Sequence, residues 1–366
     1  MRNFISEDDI EQAILSKLKD QPFKYDILIC DADPSKRDDL NDGTGRNSKK
    51  ECVLPDIMLS SLKRINPTIE EDKIKEIVKT LRQDYTGTDI VDTNYKLYRQ
   101  IRNNIKITVR RNGKEDFDFV KLIDFEHPDN NTFTAVSQMW IQGKVYYRRP
   151  DILIFVNGMP LVFIELKNSI VKVEEAYNKN LKDYMRDIPN LFAFNQICVL
   201  SNGLETKLGA FTATYDYFFE WLKIDSEKEK LDREAILAAD NVKDSSVRYF
   251  VDGILNKDRL IDYIENFILF ENQRIKIIAK NHQYLGVNNL MESVENRKEL
   301  NGKLGVFWHT QGSGKSLSMV FYAHYLQEAL ESPTIVVITD RNDLDDQLYG
   351  QFARCKDFLR QTPQHA

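Results

Sequence analysis

The stretch RRPDILIFVNGMPLVFIELKN, residues 148–168, decides how this chain is read. Two apolar runs, 152–156 and 161–166, flank an Asn-Gly pair, the commonest signal for a hairpin turn. Neither run alternates with polar residues, so both are expected as central strands covered on both faces. An aspartate opens the first strand, and Glu-Leu-Lys closes the second. A charged strand end is ordinary solvation in a chain that is 30% charged, but acids at the ends of two buried strands call for a further reason. Phosphodiester cleavage provides one: a divalent cation polarises the phosphate and supplies an activated water, and hard oxygen ligands hold it. Asp151 and Glu165 are the candidate Mg²⁺ ligands. Lys167 lies two residues beyond Glu165 and so shares its face, where it can stabilise charge or position the water.

Strand parity tests this reading. A two-residue turn at Asn157-Gly158 pairs residues whose numbers sum to an odd value, which puts Asp151 and Glu165 on opposite faces. A shared site therefore requires a three-residue loop with Gly158 in the left-handed region, or a bulge, unless Asp151 precedes the regular pairing.

Before this hairpin, residues 5–20 repeat Ile10, Ile14 and Leu18 behind a cluster of acids, predicting a helix that starts near Ser6. Residues 31–51 are rich in Asp, Lys, Gly and Ser and predict a long mobile loop, and helical patterning returns over about 55–83. From about 96 to 210 the pattern is one of short strands: NNIKITVR, FDFVKLIDF, TFTAVSQMW, the two runs above, QICVLS and KLGAFTA. One helix interrupts them, with Ala176 or Tyr177, Leu181, Tyr184 or Met185, and Ile188 on one face. The charge-rich and then amphipathic segment 226–275 reads as a helical connector.

Near the far end, LGVFW, HTQGSGKS, LSMVFYAHYLQEAL and TIVVITD predict strand, loop, helix and strand, a parallel β-α-β unit. Its glycine-rich turn suits a phosphate: backbone N–H groups and a helix N-terminus face the anion. Gly312, Ser313 and Gly314 form the turn, Lys315 is placed to reach the β and γ phosphates of ATP, and Ser316 is placed to ligate Mg²⁺. The usual pattern begins with a glycine where this chain has His309. Helicases and translocases of superfamily 2, which this segment resembles, often depart there. Gln283 sits where they carry an adenine-reading glutamine, and Thr339 and Arg341 sit where they face nucleic acid. The acidic pair on a later strand and the arginine of a second lobe, both required for hydrolysis, have no room here. The expectation is the amino-terminal part of a larger motor, one that does not hydrolyse ATP by itself.

The 366 residues suffice for two domains, and no apolar run is long enough to cross a bilayer. The polar start predicts a cytoplasmic protein. Four cysteines without a paired spacing predict neither disulfides nor a zinc site. A net charge of -6 confines any DNA contact to local patches, such as 109–114 and 146–150.

Residues 148–168, 188–203 and 305–319 together resemble the restriction (motor and nuclease) subunit of type I restriction-modification enzymes. The resemblance implies an α/β chain, with a PD-(D/E)xK endonuclease-like mixed sheet and flanking helices at about 1–225. The connector at 226–275 and an incomplete first RecA-like superfamily 2 lobe at 276–366 follow. It also implies an acid of the first helix in the metal site, Glu11 with Glu7 in reserve. A Gln-x-x-x-Tyr pair on the helix after the lysine strand is implied too, where this chain has Asn180 and Tyr184. The implied partners are double-stranded DNA and the modification and specificity subunits, with no membrane. A helicase-nuclease of recombination or repair would share both sites, and a catalytically silent docking fragment is the non-enzymatic alternative.

Overall fold

The computed structural model describes residues 4–111, 113–239, 241–330, 333–340 and 342–355. The first helix, α1 (Glu7–Lys19), begins where a capping box forms. The Ser6 hydroxyl accepts from the Asp9 N–H at 3.1 Å, and the Asp9 carboxylate accepts from the Ser6 N–H at 3.0 Å. β1 (Asp26–Ile29), α2 (Pro55–Ile65), α3 (Glu71–Leu81) and α4 (Ile90–Asn103) follow. Next come the hairpin β2 (Ile105–Arg111) and β3 (Lys114–Val120), then β4 (Phe133–Ser137), the short pair β5 (Ile141–Gln142) and β6 (Tyr147–Arg148), β7 (Ile152–Val156) and β8 (Met159–Leu166). A helical stretch made of α5 (Val173–Glu175), a π-helical segment Ala176–Leu181 and α6 (Lys182–Asp187) leads to β9 (Ile197–Ser201), β10 (Thr206–Gly209) and β11 (Phe219–Glu220). The remainder holds α7 (Arg233–Leu237), α8 (Ser246–Ile254), α9 (Lys257–Asn266), the hairpin β12 (Ile268–Glu271) and β13 (Ile275–Ile278), α10 (Asn281–Glu295), α11 (Lys315–Ala329) and α12 (Asn342–Arg354).

Seven strands make one mixed sheet in the order β1-β4-β7-β8-β9-β10-β11. The pairs β1–β4 and β8–β9 are parallel and the others antiparallel. Strands β4, β7, β8 and β9 are buried along their whole length. Ile152, Ile154 and Ile164 face one apolar cluster with α1 and α2, while Leu153, Phe155 and Phe163 face another with the helical stretch 173–187. A mixed α/β fold with a central two-sided sheet is thus the outcome.

The β7–β8 hairpin meets the parity requirement through a bulge rather than a longer loop. The turn has two residues, Asn157 and Gly158, with φ of +49° and +79°. Val156 pairs with Met159 and Phe155 with Pro160, but Ile154 pairs with Val162, so Leu161 is the extra residue. Pro160 has no N–H to give the ladder, and a proline inside a central strand is tolerated at such a break. Beyond it the register shifts by one, Ile152 meets Ile164, and the next position brings Asp151 opposite Glu165. Gly158 admits no side chain, because a Cβ there would lie 2.5 Å from the Leu54 carbonyl oxygen.

Several expectations are corrected. β1 and α4 lie in segments not read as strand or helix, and β2–β3 form a separate two-stranded sheet. Segment 31–51 is irregular, and residues 31–41 are exposed, but its second half is packed: Thr44, Arg46 and Lys49 are buried around Asp42. The two strands expected around the phosphate loop, 304–308 and 334–340, do not form: among the described residues neither pairs with another strand. Val306 and Ile338 are 93% and 89% exposed. A parallel strand needs a neighbour on its hydrogen-bonding edge, and none lies there. The helix between them, α11, forms as expected. All four cysteines are buried. No helix among the described residues is long and apolar enough to cross a membrane.

Candidate active site

Asp151, Glu165 and Lys167 converge at one end of β7 and β8. Lys167 Nζ donates to Glu165 Oε1 at 3.0 Å and to the Leu166 carbonyl at 2.6 Å. The Leu166 N–H donates to Asp151 Oδ2 at 2.7 Å, fixing that carboxylate across the strand pair. Glu165 is 2% exposed, and its Oε2 is buried without a hydrogen-bond partner. The Tyr184 hydroxyl approaches the same carboxylate but gives its proton to the Arg149 carbonyl at 3.1 Å.

Burial, reinforced by the neighbouring acids, makes this cluster electrostatically uneasy. Burial raises Asp151 to about 6, with Glu11 and Glu7 adding to the effect. Glu165 is held well above the carboxylate range, first by burial and then by the charge of Asp151. Burial works against the charge of Lys167, yet Glu165 and Asp151 outweigh it and keep the ammonium protonated. Burial also raises Tyr184, followed by the charges of Glu165 and Asp151, so its phenol stays neutral. Two acids with raised pKa values, an orphaned carboxylate oxygen and an all-oxygen donor set fit a hard divalent cation.

Glu11 reaches the site from α1, while Glu7, one turn earlier, is exposed. Glu11 does not touch Asp151 directly. Its Oε1 accepts from Ser137 Oγ at 2.5 Å and its Oε2 from Gln138 Nε2 at 2.5 Å, and the same Nε2 lies 3.4 Å from Asp151 Oδ1. Ser137 and Gln138 were not legible as site residues. The available signal was their place at the polar end of β4, where Ser137 pairs with Ile152 beside Asp151. Among the described residues, the three metal-type side chains with ligand atoms within 4.8 Å of one another are instead Asp124, Glu126 and His127. Two of these are exposed, and Asp124 is already bonded to Asn130 and the His127 N–H.

Asn180 and Tyr184 line a cavity of about 340 Å³ with Trp140, Arg148 and Arg149. Asn180 lies within the π-helical segment, a feature frequent at functional sites. The amide of Asn180 interacts with the Tyr184 hydroxyl, despite being shorter than the expected glutamine. One arginine of each basic patch is paired with acids. Arg111 pairs with Asp116 and Asp118, and Arg148 pairs with Asp183 and Asp187.

The glycine-rich loop stands apart from these residues. Gly312 and Gly314 have φ of +79° and +84°, and α11 begins at Lys315 with Ser316 in its first turn. Lys315 Nζ donates to the carbonyls of His309 and Thr310 at 2.9 and 3.0 Å, folding back over the loop. Gln283 is 2% exposed, and both ends of its amide are engaged. Oε1 accepts from the Lys280 N–H at 2.8 Å, and Nε2 donates to the Gly314 carbonyl at 3.1 Å. It thus ties α10 to the loop. The Ser313 hydroxyl is buried without a partner. Thr339 Oγ1 is 3.5 Å from Asp345, and Arg341 lies outside the described residues.

Fold and site together define a mixed α/β protein with an acid–acid–lysine cluster on its sheet and a glycine-rich loop beyond it. Residues 4–217 match the family model described as type I restriction enzyme R protein N terminus, and residues 282–366 match one described as SWI2/SNF2 ATPase. The chain belongs to the type I restriction enzyme R protein family. It is 36% identical, over 98% of its length, to the type I restriction enzyme HindI endonuclease subunit of Haemophilus influenzae. It is 33% identical, over 84% of its length, to the putative MjaIXP endonuclease subunit of Methanocaldococcus jannaschii. These matches cover 34% and 31% of the relatives, so the chain spans about a third of their length.

Proposed function

We propose that this chain carries the Mg²⁺-dependent DNA-cleaving site, of the PD-(D/E)xK kind, and the nucleotide-binding start of the motor in a type I restriction enzyme. Within the full protein, ATP-driven translocation of double-stranded DNA precedes cleavage, and the modification and specificity subunits supply methylation and sequence recognition in the cytoplasm. The observation that carries the reading is the bulged hairpin that aligns Asp151 with Glu165 and leaves a buried oxygen of Glu165 unpartnered beside Lys167.

A bound divalent cation would supply Lewis-acid polarisation of the scissile phosphate and a water of lowered pKa. Asp151 and Glu165 would hold it, with Glu11 as the third acid. The bond from Leu166 fixes Asp151 Oδ2 and turns Oδ1 to the site. Lys167, protonated and anchored on Glu165 and the Leu166 carbonyl, keeps one N–H for the charge that develops on the phosphate. Tyr184 stays protonated and braces the Arg149 carbonyl two residues before Asp151. In the motor segment, Gly312, Ser313, Gly314, Lys315 and Ser316 would cradle the ATP phosphates, with Gln283 holding α10 against the loop.

The test is cleavage by the full enzyme reconstituted with its partner subunits and ATP, alongside Mn²⁺ binding without DNA. Asp151→Asn and Glu165→Gln are expected to lose both, and Lys167→Met to bind Mn²⁺ but cut about 100-fold more slowly or worse. Variants that cleave like the parent would overturn the assignment. Co-purification without any modification subunit would move it to a recombination nuclease.

A further inference from the structure

Gln138 follows the last residue of β4 with φ of +58°, a region that a glutamine rarely adopts. Its N–H donates to the Asp151 carbonyl at 2.9 Å, so its backbone is tied to the residue its side chain serves. Its Nε2 donates to Glu11 Oε2 at 2.5 Å and to Asp151 Oδ1 at 3.4 Å. Its Oε1 is buried and has no hydrogen-bond partner. Holding a non-glycine residue in the left-handed region costs about 1 kcal/mol or more, and glycine would adopt it freely. The glutamine thus sits here at a backbone cost, and its amide is what meets the two acids.

We propose that Gln138 is a positioning residue for the cation-binding acids. Its NH₂ group clamps Glu11 and Asp151 at a fixed separation. This rests on the reading of Asp151 and Glu165 as cation ligands. Two neighbouring carboxylates repel each other, and an amide that donates to both offsets that repulsion without adding a charge that would compete with the cation. The clamp then leaves little reorganisation for the moment of binding. Partners of this type typically change metal affinity by one to two orders of magnitude.

The test uses the 366-residue chain, Mn²⁺ titration by calorimetry without DNA, and thermal melting in chelator. Gln138→Gly removes the amide while relieving the backbone strain. It is expected to melt at or above the parent temperature and to bind Mn²⁺ about 10-fold more weakly. Gln138→Met, which keeps the side-chain length, is expected to show the same loss and serves if the glycine variant does not fold. If the parent binds Mn²⁺, Asp151→Asn does not, and both Gln138 variants bind as the parent does, the Gln138 assignment falls and the metal site stands. A parent chain that binds no Mn²⁺ overturns both.

Discussion

Glu165 carries the largest unrelieved cost in the site: a buried acid with one oxygen unpartnered and a neighbouring acid directly across the strand pair. Burying a charge without full pairing is unfavourable by several kcal/mol, and Lys167 returns only part of it. The amide Glu165→Gln keeps the shape and removes the charge. It is expected to stabilise the metal-free chain by about 1 kcal/mol at neutral pH while losing cation binding, read from urea midpoints in chelator. A loss of stability instead would make the Glu165–Lys167 pair structural. Charge is also what made the site legible, because acids and a lysine at the ends of apolar strands stand out in a sequence. Gln138 has no charge and no motif, and it becomes visible once β4 lies against β7. Parity calls for a bulge or a longer loop, but its place at Leu161 becomes visible only once the pairing is known.

At the level of elements, the strands with unbroken apolar runs were legible, while β1 and α4 were not. β1 has partly exposed residues and only four positions. In α4 the buried residues Asn94, Tyr95 and Tyr98 dilute the apolar stripe that marks a helix. Composition suggests an unpacked loop at 31–51, which holds for the exposed residues 31–41 but not for the part that closes on Asp42. There Asp42 accepts from Lys49 at 2.6 Å and from Arg46 at 2.8 Å, so opposite charges bury one another. Burial opposes the charge of Asp42, but Lys49, Thr44 and Arg46 outweigh it and bring the carboxyl from its ordinary 3.8 down to about 2. A lowered acid pKa contributes stability that is present above the unfolded value and lost as pH falls through the folded one. Allowing for solvent screening of this half-buried group, Asp42→Asn is expected to cost about 2 kcal/mol at neutral pH, a difference that fades towards pH 2. Urea unfolding of both proteins across that range checks it, and a gap independent of pH would remove the ion cluster as its cause.

Across the whole molecule, composition shifts near 225 and 275 suggest a connector, yet packing runs straight through them. Tyr25 donates to the Leu255 carbonyl at 2.7 Å, and Tyr98 to the carbonyls of Ile264 and Ile268 at 3.1 Å. The strongest tie is Lys276 on β13. It is buried, and its Nζ donates to Asn195 O at 2.6 Å, Gln196 Oε1 at 2.5 Å and Asn94 Oδ1 at 3.1 Å. No carboxylate accepts from it in these bonds. Burial pulls its pKa well down, while three acceptors call for three N–H donors, so the group joins α4, the approach to β9 and the β12–β13 hairpin in one network. Lys276→Met matches the volume but takes the donor from Gln196 Oε1 and Asn94 Oδ1, the first of them on the segment that enters β9 beside the strand of Glu165, while Asn195 O keeps its bond from Asn94 Nδ2 at 2.8 Å. The expected cost is about 3 kcal/mol. Because the network spans both regions, hydrogen exchange should quicken in β9 and β12 together rather than in the hairpin alone. Loss of protection confined to β12 and β13 would show that the hairpin is a folding unit separate from the seven-stranded sheet.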